Sequence, residues 1–375
     1  MSIRILLVFG TRPEAIKMAP LVKAFLSDQQ YFTTRVCVTA QHRQMLDQIL
    51  DFFSIRPDYD LNLMKPGQNL NQLTSDVILG MKSVLKDFLP DYVFVHGDTT
   101  TSTIAALAAF YEGSKICHVE AGLRTYNKYS PFPEEVNRQL TSRLADIHFA
   151  PTETSKNNLL SEGIQNDKIQ VVGNTVLDAL LLAKGKLAGY KDPEIERLET
   201  ILDPSKNIVL VTGHRRENFG QGFINICIAL KALDKRKDIE IVYPVHLNPS
   251  VQEPVYQMLS DCQNIKLIKP LAYPAFIWLM NKSHILLTDS GGIQEEAPTL
   301  GKPVLVMRDT TERPEAITAG TVKLVGVDPD YIYESISHLL DNKDEYEKMS
   351  SKRNPYGDGD SAKRIVNYFY DIRDI

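Results

Sequence analysis

Residues 3–17 read IRILLVFGTRPEAIK. An unbroken apolar run stops at Gly10, and a helix signature follows at once, with Pro13 and Glu14 in its opening turn. Continuous apolar runs suit parallel strands covered on both faces, and a proline at a helix start forfeits no hydrogen bond. Strand, turn and helix together open a βαβ unit. The dinucleotide-binding form of this turn needs G-x-G-x-x-G. Here one glycine precedes Thr11 and Arg12, so NAD is not expected, and a Walker-type phosphate loop is missing as well.

The alternation continues outward from this stretch. Short apolar runs at Arg35–Thr39, Tyr92–His96, Lys115–Val119, Ile147–Ala150 and Ile169–Val172 are separated by segments of helical spacing, among them Glu14–Ser27, Leu70–Phe88 and Thr101–Tyr111. A second series follows at Ile208–Thr212, Ile239–Pro244, Ile265–Ile268, Ile285–Thr288, Pro303–Met307 and Val322–Val325. Between them, residues 173–205 hold a helix and a charged, proline-containing passage that suits a linker. The expected fold class is α/β, with two Rossmann-like, doubly wound domains at 1–172 and 206–355 facing a central cleft. Ligands bind such sheets beyond the carboxyl ends of the strands.

Composition narrows the partners. The chain has 375 residues, more than one core usually organises. Hydrophobic residues make up 43% and charged residues 24%, which is ordinary for a folded globular chain. With 42 basic and 47 acidic residues the net charge is −5, so neither nucleic acid nor an anionic membrane is an expected partner. The four cysteines, Cys37, Cys117, Cys227 and Cys262, are scattered, which fits a reducing compartment better than a zinc site or a disulfide framework. No secretion signal is expected before the first strand, and no apolar stretch approaches the roughly 20 residues that span a bilayer. A cytoplasmic location is expected.

Residues just beyond the strands carry the chemistry. Gly10 permits close approach of a ligand to backbone, and Arg12 with Lys17 beside a helix start reads either as a diphosphate clamp or as a capped surface helix. His96-Gly97-Asp98 and His118-Val119-Glu120 place His-x-acid at two strand ends. That pattern suits a general base and a general acid, a metal site, or buried histidines followed by helix-capping acids. No third ligand stands at a recognisable spacing, so no metal is expected. Glu134, Glu135 and Arg138 open a further helix after a proline-fixed loop. In the second half, His214-Arg215-Arg216 follows a strand and suits phosphate, and His246 follows the next. Ser290-Gly291-Gly292 at a strand-to-helix turn exposes backbone N–H groups to a diphosphate, with Glu296 able to accept from ribose hydroxyls and two more arginines, Arg308 and Arg313, beyond the following strand.

Taken together, GTRPEAIKMAPL at Gly10, HGDTTT at His96, HVEAGLRT at His118, HRREN at His214, YPVHLNP at Tyr243, DSGGIQEEAP at Asp289 and NPYGDG at Asn354 resemble, in order and over nearly the whole length, the bacterial non-hydrolysing UDP-N-acetylglucosamine 2-epimerases. The resemblance implies the GT-B fold, with residues 356–375 as a helix returning to the first domain. It implies cofactor-free elimination of UDP to a glycal and re-addition with the opposite configuration. Asp98, Glu120, Glu134 and His214 fall on the family's catalytic positions. Arg12, Lys17, Arg138, Phe276, Ser290, Gly291, Gly292, Glu296 and Arg313 fall on its substrate positions, with Phe276 near the base. The family resemblance also implies UDP-N-acetylglucosamine as activator, through Gln41, His42, Gln44, Glu135 and His246. A homodimer serving cell-surface polysaccharide synthesis is implied too. Gly67 and Leu271 stand where some relatives carry Arg and Gln. A hydrolysing epimerase, a GT-B glycosyltransferase and a catalytically silent sugar-nucleotide sensor are the competing readings, and retention of Asp98, Glu120 and Glu134 argues against the last two.

Overall fold

The computed structural model describes residues 2–40, 43–63, 65 and 67–371. They form two compact units, one of Met1–Leu182 with Tyr356–Ile375, the other of Ala183–Pro355. In unit 1, β1 (Ile3–Phe9), α1 (Arg12–Leu26), β2 (Phe32–Val38), α2 (Arg43–Phe53), β3 (Tyr59–Asp60), α3 (Leu70–Phe88), β4 (Tyr92–His96), α4 (Thr100–Tyr111), β5 (Lys115–Val119), α5 (Glu134–Leu144), β6 (Ile147–Ala150), α6 (Glu153–Ser161) and β7 (Ile169–Val171) follow in turn, and α7 (Thr175–Leu187) leads out. The strands are all parallel, in the order β3-β2-β1-β4-β5-β6-β7. Ile5 to Phe9 of β1 are fully buried, as the unbroken apolar run requires of a central strand.

Unit 2 contains α8 (Pro193–Ile201), β8 (Asn207–Thr212), α9 (Gln221–Leu233), β9 (Ile239–Pro244), α10 (Pro249–Leu259), β10 (Ile265–Ile268), α11 (Tyr273–Lys282), β11 (Ile285–Thr288), α12 (Gly291–Glu296), β12 (Val304–Val306), α13 (Pro314–Ala319), β13 (Val322–Leu324), α14 (Pro329–Asp341) and α15 (Lys343–Ser350). Its six parallel strands run β10-β9-β8-β11-β12-β13. The charged passage after α7 folds as α8, started by the Asp192 side chain accepting from Glu194 and Ile195 N–H groups. Each sheet reverses its strand order once, between β1 and β4 and between β8 and β11. Those are the points where doubly wound sheets open a crevice for ligand.

The last helix, α16 (Ser361–Asp371), belongs to unit 1. Its Phe369 is fully buried among Phe25, Tyr92 and Phe94, with ring centroids at 5.8, 4.9 and 5.6 Å. Ala362 N–H donates to Asp178 Oδ1 at 2.8 Å, which ties the start of α16 to α7.

Candidate active site

In unit 1 the crevice is framed by one buried carboxylate. Glu14, the third residue of α1, accepts from the N–H groups of Gly10 (3.0 Å) and Thr11 (2.7 Å) and from the hydroxyls of Thr99 (2.6 Å) and Ser102 (2.9 Å). With Thr11 accepting in return from Glu14 N–H, this is a capping box that also joins the β1–α1 and β4–α4 turns. The space beside Gly10 is taken by protein. A Cβ there would stand 2.0 Å from Thr39 Oγ1 and 2.8 Å from Thr101 Oγ1, so the glycine serves packing of these hydroxyls, where the sequence suggested room for a ligand.

Around this frame the charged residues gather in pairs. Lys17 is ion-paired with Glu120, whose Oε2 also accepts from Asn174 Nδ2 at 3.0 Å and lies 3.9 Å from His96 Nε2. Glu120 has φ +60°, a left-handed backbone uncommon for glutamate and characteristic of functional sites. Asp98 is ion-paired with Arg138 of α5, and its carbonyl accepts from Asn137 Nδ2 at 2.9 Å. Neither acid caps a helix: Thr99 caps α4. Glu134 is the first residue of α5 and half-buried. Arg12 opens α1, also half-buried.

The two strand-end histidines are buried and carry no charge at neutral pH. Burial lowers His96 to about 4 against the pull of Glu120, and lowers His118 to about 3. His118 Nε2 lies 2.7 Å from Gly97 O; since a carbonyl can only accept, Nε2 bears the proton. Among the described residues no cluster of three or more His, Cys, Asp or Glu is arranged to hold a metal ion.

Glu135 has an internal task. Fully buried, it accepts from the N–H groups of Thr125 and Tyr126 (both 3.0 Å), Gln139 Nε2 (2.8 Å) and Arg138 Nη1 (3.4 Å). Burial pushes its carboxyl up, but hydrogen bonds from Thr125, Gln139 and Tyr126 outweigh this and hold it below its usual value. Glu135 thereby anchors the loop before α5. Gln44 is exposed on the first turn of α2, whereas Gln41 and His42 lie outside the described residues.

Unit 2 builds its crevice on Asp289, at the end of β11 and fully buried. Its Oδ2 accepts from the N–H groups of His214 and Arg215, each at 2.8 Å, fastening the turn after β8 to the turn after β11. His214 Nδ1 lies 3.5 Å from Asp289 Oδ1. Its ring stacks on His246, which stands beyond the end of β9, with centroids 5.5 Å apart. Burial lowers the His214 pKa; Asp289 opposes this, and His246 and Arg215 add to it. Ser290 starts α12 without a side-chain cap, which leaves the turn to Gly291 and the exposed Gly292. A Cβ on Gly291 would stand 3.7 Å from Arg313 Nη2 and 3.8 Å from Arg215 Nη2, so two guanidinium groups converge on this turn. Arg313 is also ion-paired with Glu295. Glu296 is the last residue of α12, and Phe276 lies in the first turn of α11, both half-buried. Two residues beyond Phe276, Trp278 has Lys282 Nζ over its ring at 5.7 Å.

The chain as a whole is similar to known proteins. The family described as UDP-N-acetylglucosamine 2-epimerase matches residues 24–369. The chain belongs to the UDP-N-acetylglucosamine 2-epimerase family. Its fold is accordingly the α/β GT-B fold. It is 56% identical over 366 residues to the UDP-N-acetylglucosamine 2-epimerase of Escherichia coli K12, covering 97% of each chain. To the Campylobacter jejuni 2-epimerase it is 57% identical over 370 residues, covering 97% of this chain and 96% of the relative. Among solved structures, the Neisseria meningitidis 2-epimerase bound to UDP-GlcNAc superimposes with a TM-score of 0.87 at 53% identity, covering 98% of this chain and 100% of that one.

Within this 2-epimerase framework, two residues that touch the candidate site were given no role by the sequence reading: Asp289 and Asn174. Asp289 lay inside a quoted motif, but a buried aspartate that holds two turns together looks, in sequence, like any acid before a glycine pair. Asn174 stands outside every motif, and only its placement beside Glu120 marks it.

Proposed function

We propose that the chain interconverts UDP-N-acetylglucosamine and UDP-N-acetylmannosamine, inverting carbon 2 without releasing the free sugar. The observation that carries this reading is the pair of carboxylates on neighbouring strand ends, Asp98 and Glu120, each ion-paired with a cation. Similarity to named 2-epimerases along nearly the whole chain, one of them solved with UDP-GlcNAc, supports the substrate.

Carbon 2 has no carbonyl beside it, so its proton resists direct removal. Elimination avoids this difficulty. A carboxylate takes the carbon 2 proton while the electrons of the carbon 1–oxygen bond depart with UDP, leaving a glycal. UDP then re-adds to carbon 1, and an acid on the opposite face protonates carbon 2. Asp98, Glu120 and Glu134 are the acid–base groups, and Arg12, Lys17, Arg138 and His214 stabilise the departing diphosphate. Lys17 and Arg138 suit that work because each already stands against an acid–base carboxylate and can turn to phosphate as negative charge builds on it. Ser290, Gly291 and Gly292, under Arg215 and Arg313, take the diphosphate in unit 2. Glu296 takes the ribose and Phe276 lies against the base.

The same reading gives UDP-N-acetylglucosamine a second role as activator, through Gln41, His42, Gln44 and His246, with the buried Glu135 acting indirectly by anchoring the loop before α5. The stack of His246 on His214 supports a link between activator and catalytic group. A cytoplasmic homodimer supplying cell-surface polysaccharide completes the proposal. The test is proton NMR of UDP-N-acetylglucosamine with the purified enzyme in deuterated water. UDP-N-acetylmannosamine bearing deuterium at carbon 2 is the expected product. Free N-acetylmannosamine with UDP would instead mean hydrolysis, and substrate that binds but does not change would overturn the reading.

A further inference from the structure

Asn174 is 3% exposed and stands immediately before α7, where its polar groups have fixed tasks. Its backbone N–H donates to Tyr356 O at 2.8 Å, and its carbonyl accepts from Leu177 N–H at 3.1 Å. The side-chain Oδ1 accepts from Val176 N–H at 3.0 Å, a helix-capping contact. That contact decides which way round the amide lies, because only an oxygen can accept there. Nδ2 is therefore turned to Glu120 and donates to its Oε2 at 3.0 Å. The backbone behind is tightly packed. Gly173 has φ +96° and Gly357 φ +131°. A Cβ on Gly173 would stand 2.7 Å from Ser361 Oγ and 3.3 Å from Tyr356 O. A side chain at Gly173 would push Asn174 off Tyr356.

Lys17 from α1, ion-paired with the same oxygen, and neutral His96 from β4, with Nε2 3.9 Å away, also face Glu120. Lys17 brings charge on a long flexible stem, whereas the Asn174 amide is short, buried and held on both sides. With its left-handed backbone, Glu120 depends on such a partner for its direction. We infer that Asn174 is the positioning residue of Glu120. It fixes Oε2, so that Oε1 stays on the side of Gly97, where a Cβ would lie 3.7 Å away. The returning segment Tyr356–Gly357 holds Asn174 in its turn. The inference rests on the reading of Glu120 as an acid–base group.

Two variants separate positioning from folding. Asn174→Asp keeps an oxygen for Val176 N–H but turns a second carboxylate oxygen toward Glu120. A like charge disfavours ionised Glu120, so its pKa rises, by about one pH unit. Asn174→Ser keeps a helix cap but does not reach Glu120. Carbon-detected NMR of carboxyl-labelled glutamates in the full-length protein follows Glu120 directly, with Glu120→Gln identifying its signal. Epimerisation is followed alongside by deuterium uptake. In Asn174→Asp, Glu120 is expected to titrate at higher pH, and the limb of the kcat/KM profile that it sets moves upward with it. In both variants kcat falls about 10²-fold while KM stays close to wild type, and in Asn174→Ser the thermal midpoint does too. Unchanged titration in Asn174→Asp, or unchanged kcat in Asn174→Ser, overturns the inference. A shifted titration in a protein that epimerises nothing supports the Asn174–Glu120 link and sinks only the functional reading. If Asn174→Asp does not fold, Asn174→Ser alone decides.

Discussion

His118 is the last residue but one of β5, its ring wholly enclosed and donating to Gly97 O, and His96 is buried at the end of the neighbouring strand. In the unfolded chain a histidine titrates near 6.5, while burial holds His96 to about 4 and His118 to about 3. Between those values the unfolded chain takes up protons that the folded one refuses. Stability is therefore complete above about pH 6.5 and is lost as pH falls toward the folded-state values. At pH 5 each histidine accounts for a loss of about 2 kcal/mol relative to neutral pH. Urea unfolding at pH 7 and pH 5 measures the loss. His118→Gln, which keeps a donor for Gly97 O, is expected to reduce the pH dependence by about that amount; equal dependence in variant and wild type would reject the assignment. At this scale the sequence displays His-x-acid at both strand ends, but not which side chain is buried. Nor does it display that Asp289 and Asn174 act by holding other groups, since a hydrogen bond across more than fifty residues leaves no local pattern.

Among the elements, α16 has the most to lose from one substitution. Phe369 meets Phe25, Tyr92 and Phe94 in edge-on or tilted contacts, the geometries aromatic rings favour. Phe369→Ala is expected to lower the stability of unit 1 by about 3–5 kcal/mol, read as a shift in its urea midpoint. A change below 1 kcal/mol would mean that α16 contributes little to this core. Most strands were legible because a run buried on both faces must be apolar throughout. β3 was not, being two residues long and half polar, and β2 begins at Phe32, three residues before the expected run at Arg35, because Thr33 and Thr34 look like loop. α8 was hidden by its charges: only Ile195 and Leu198 are buried, and the rest of the helix reads as a solvated passage.

At the scale of the molecule, the chain's one tryptophan, Trp278, reports on unit 2 alone. The proposed nucleotide seat lies in the same unit, so UDP should delay the unfolding seen by tryptophan fluorescence. At a hundredfold excess over its dissociation constant the gain is about 2.7 kcal/mol, measured as the shift of the urea transition. A tryptophan transition indifferent to UDP would remove the nucleotide from unit 2.

Because α16 is laid into the core of unit 1 although it follows all of unit 2 in the chain, the two units differ in when they can be finished. A ribosome delivers the strands of the first sheet early, yet the helix that covers Phe25 and Phe94 arrives only after the second sheet has been made. Chains fold as they emerge, at about 5–20 residues per second, so the nascent first unit spends roughly 10–40 seconds with an aromatic patch uncovered. Of the two, the later-made unit is completed first, and the earlier-made one is the natural client of a chaperone.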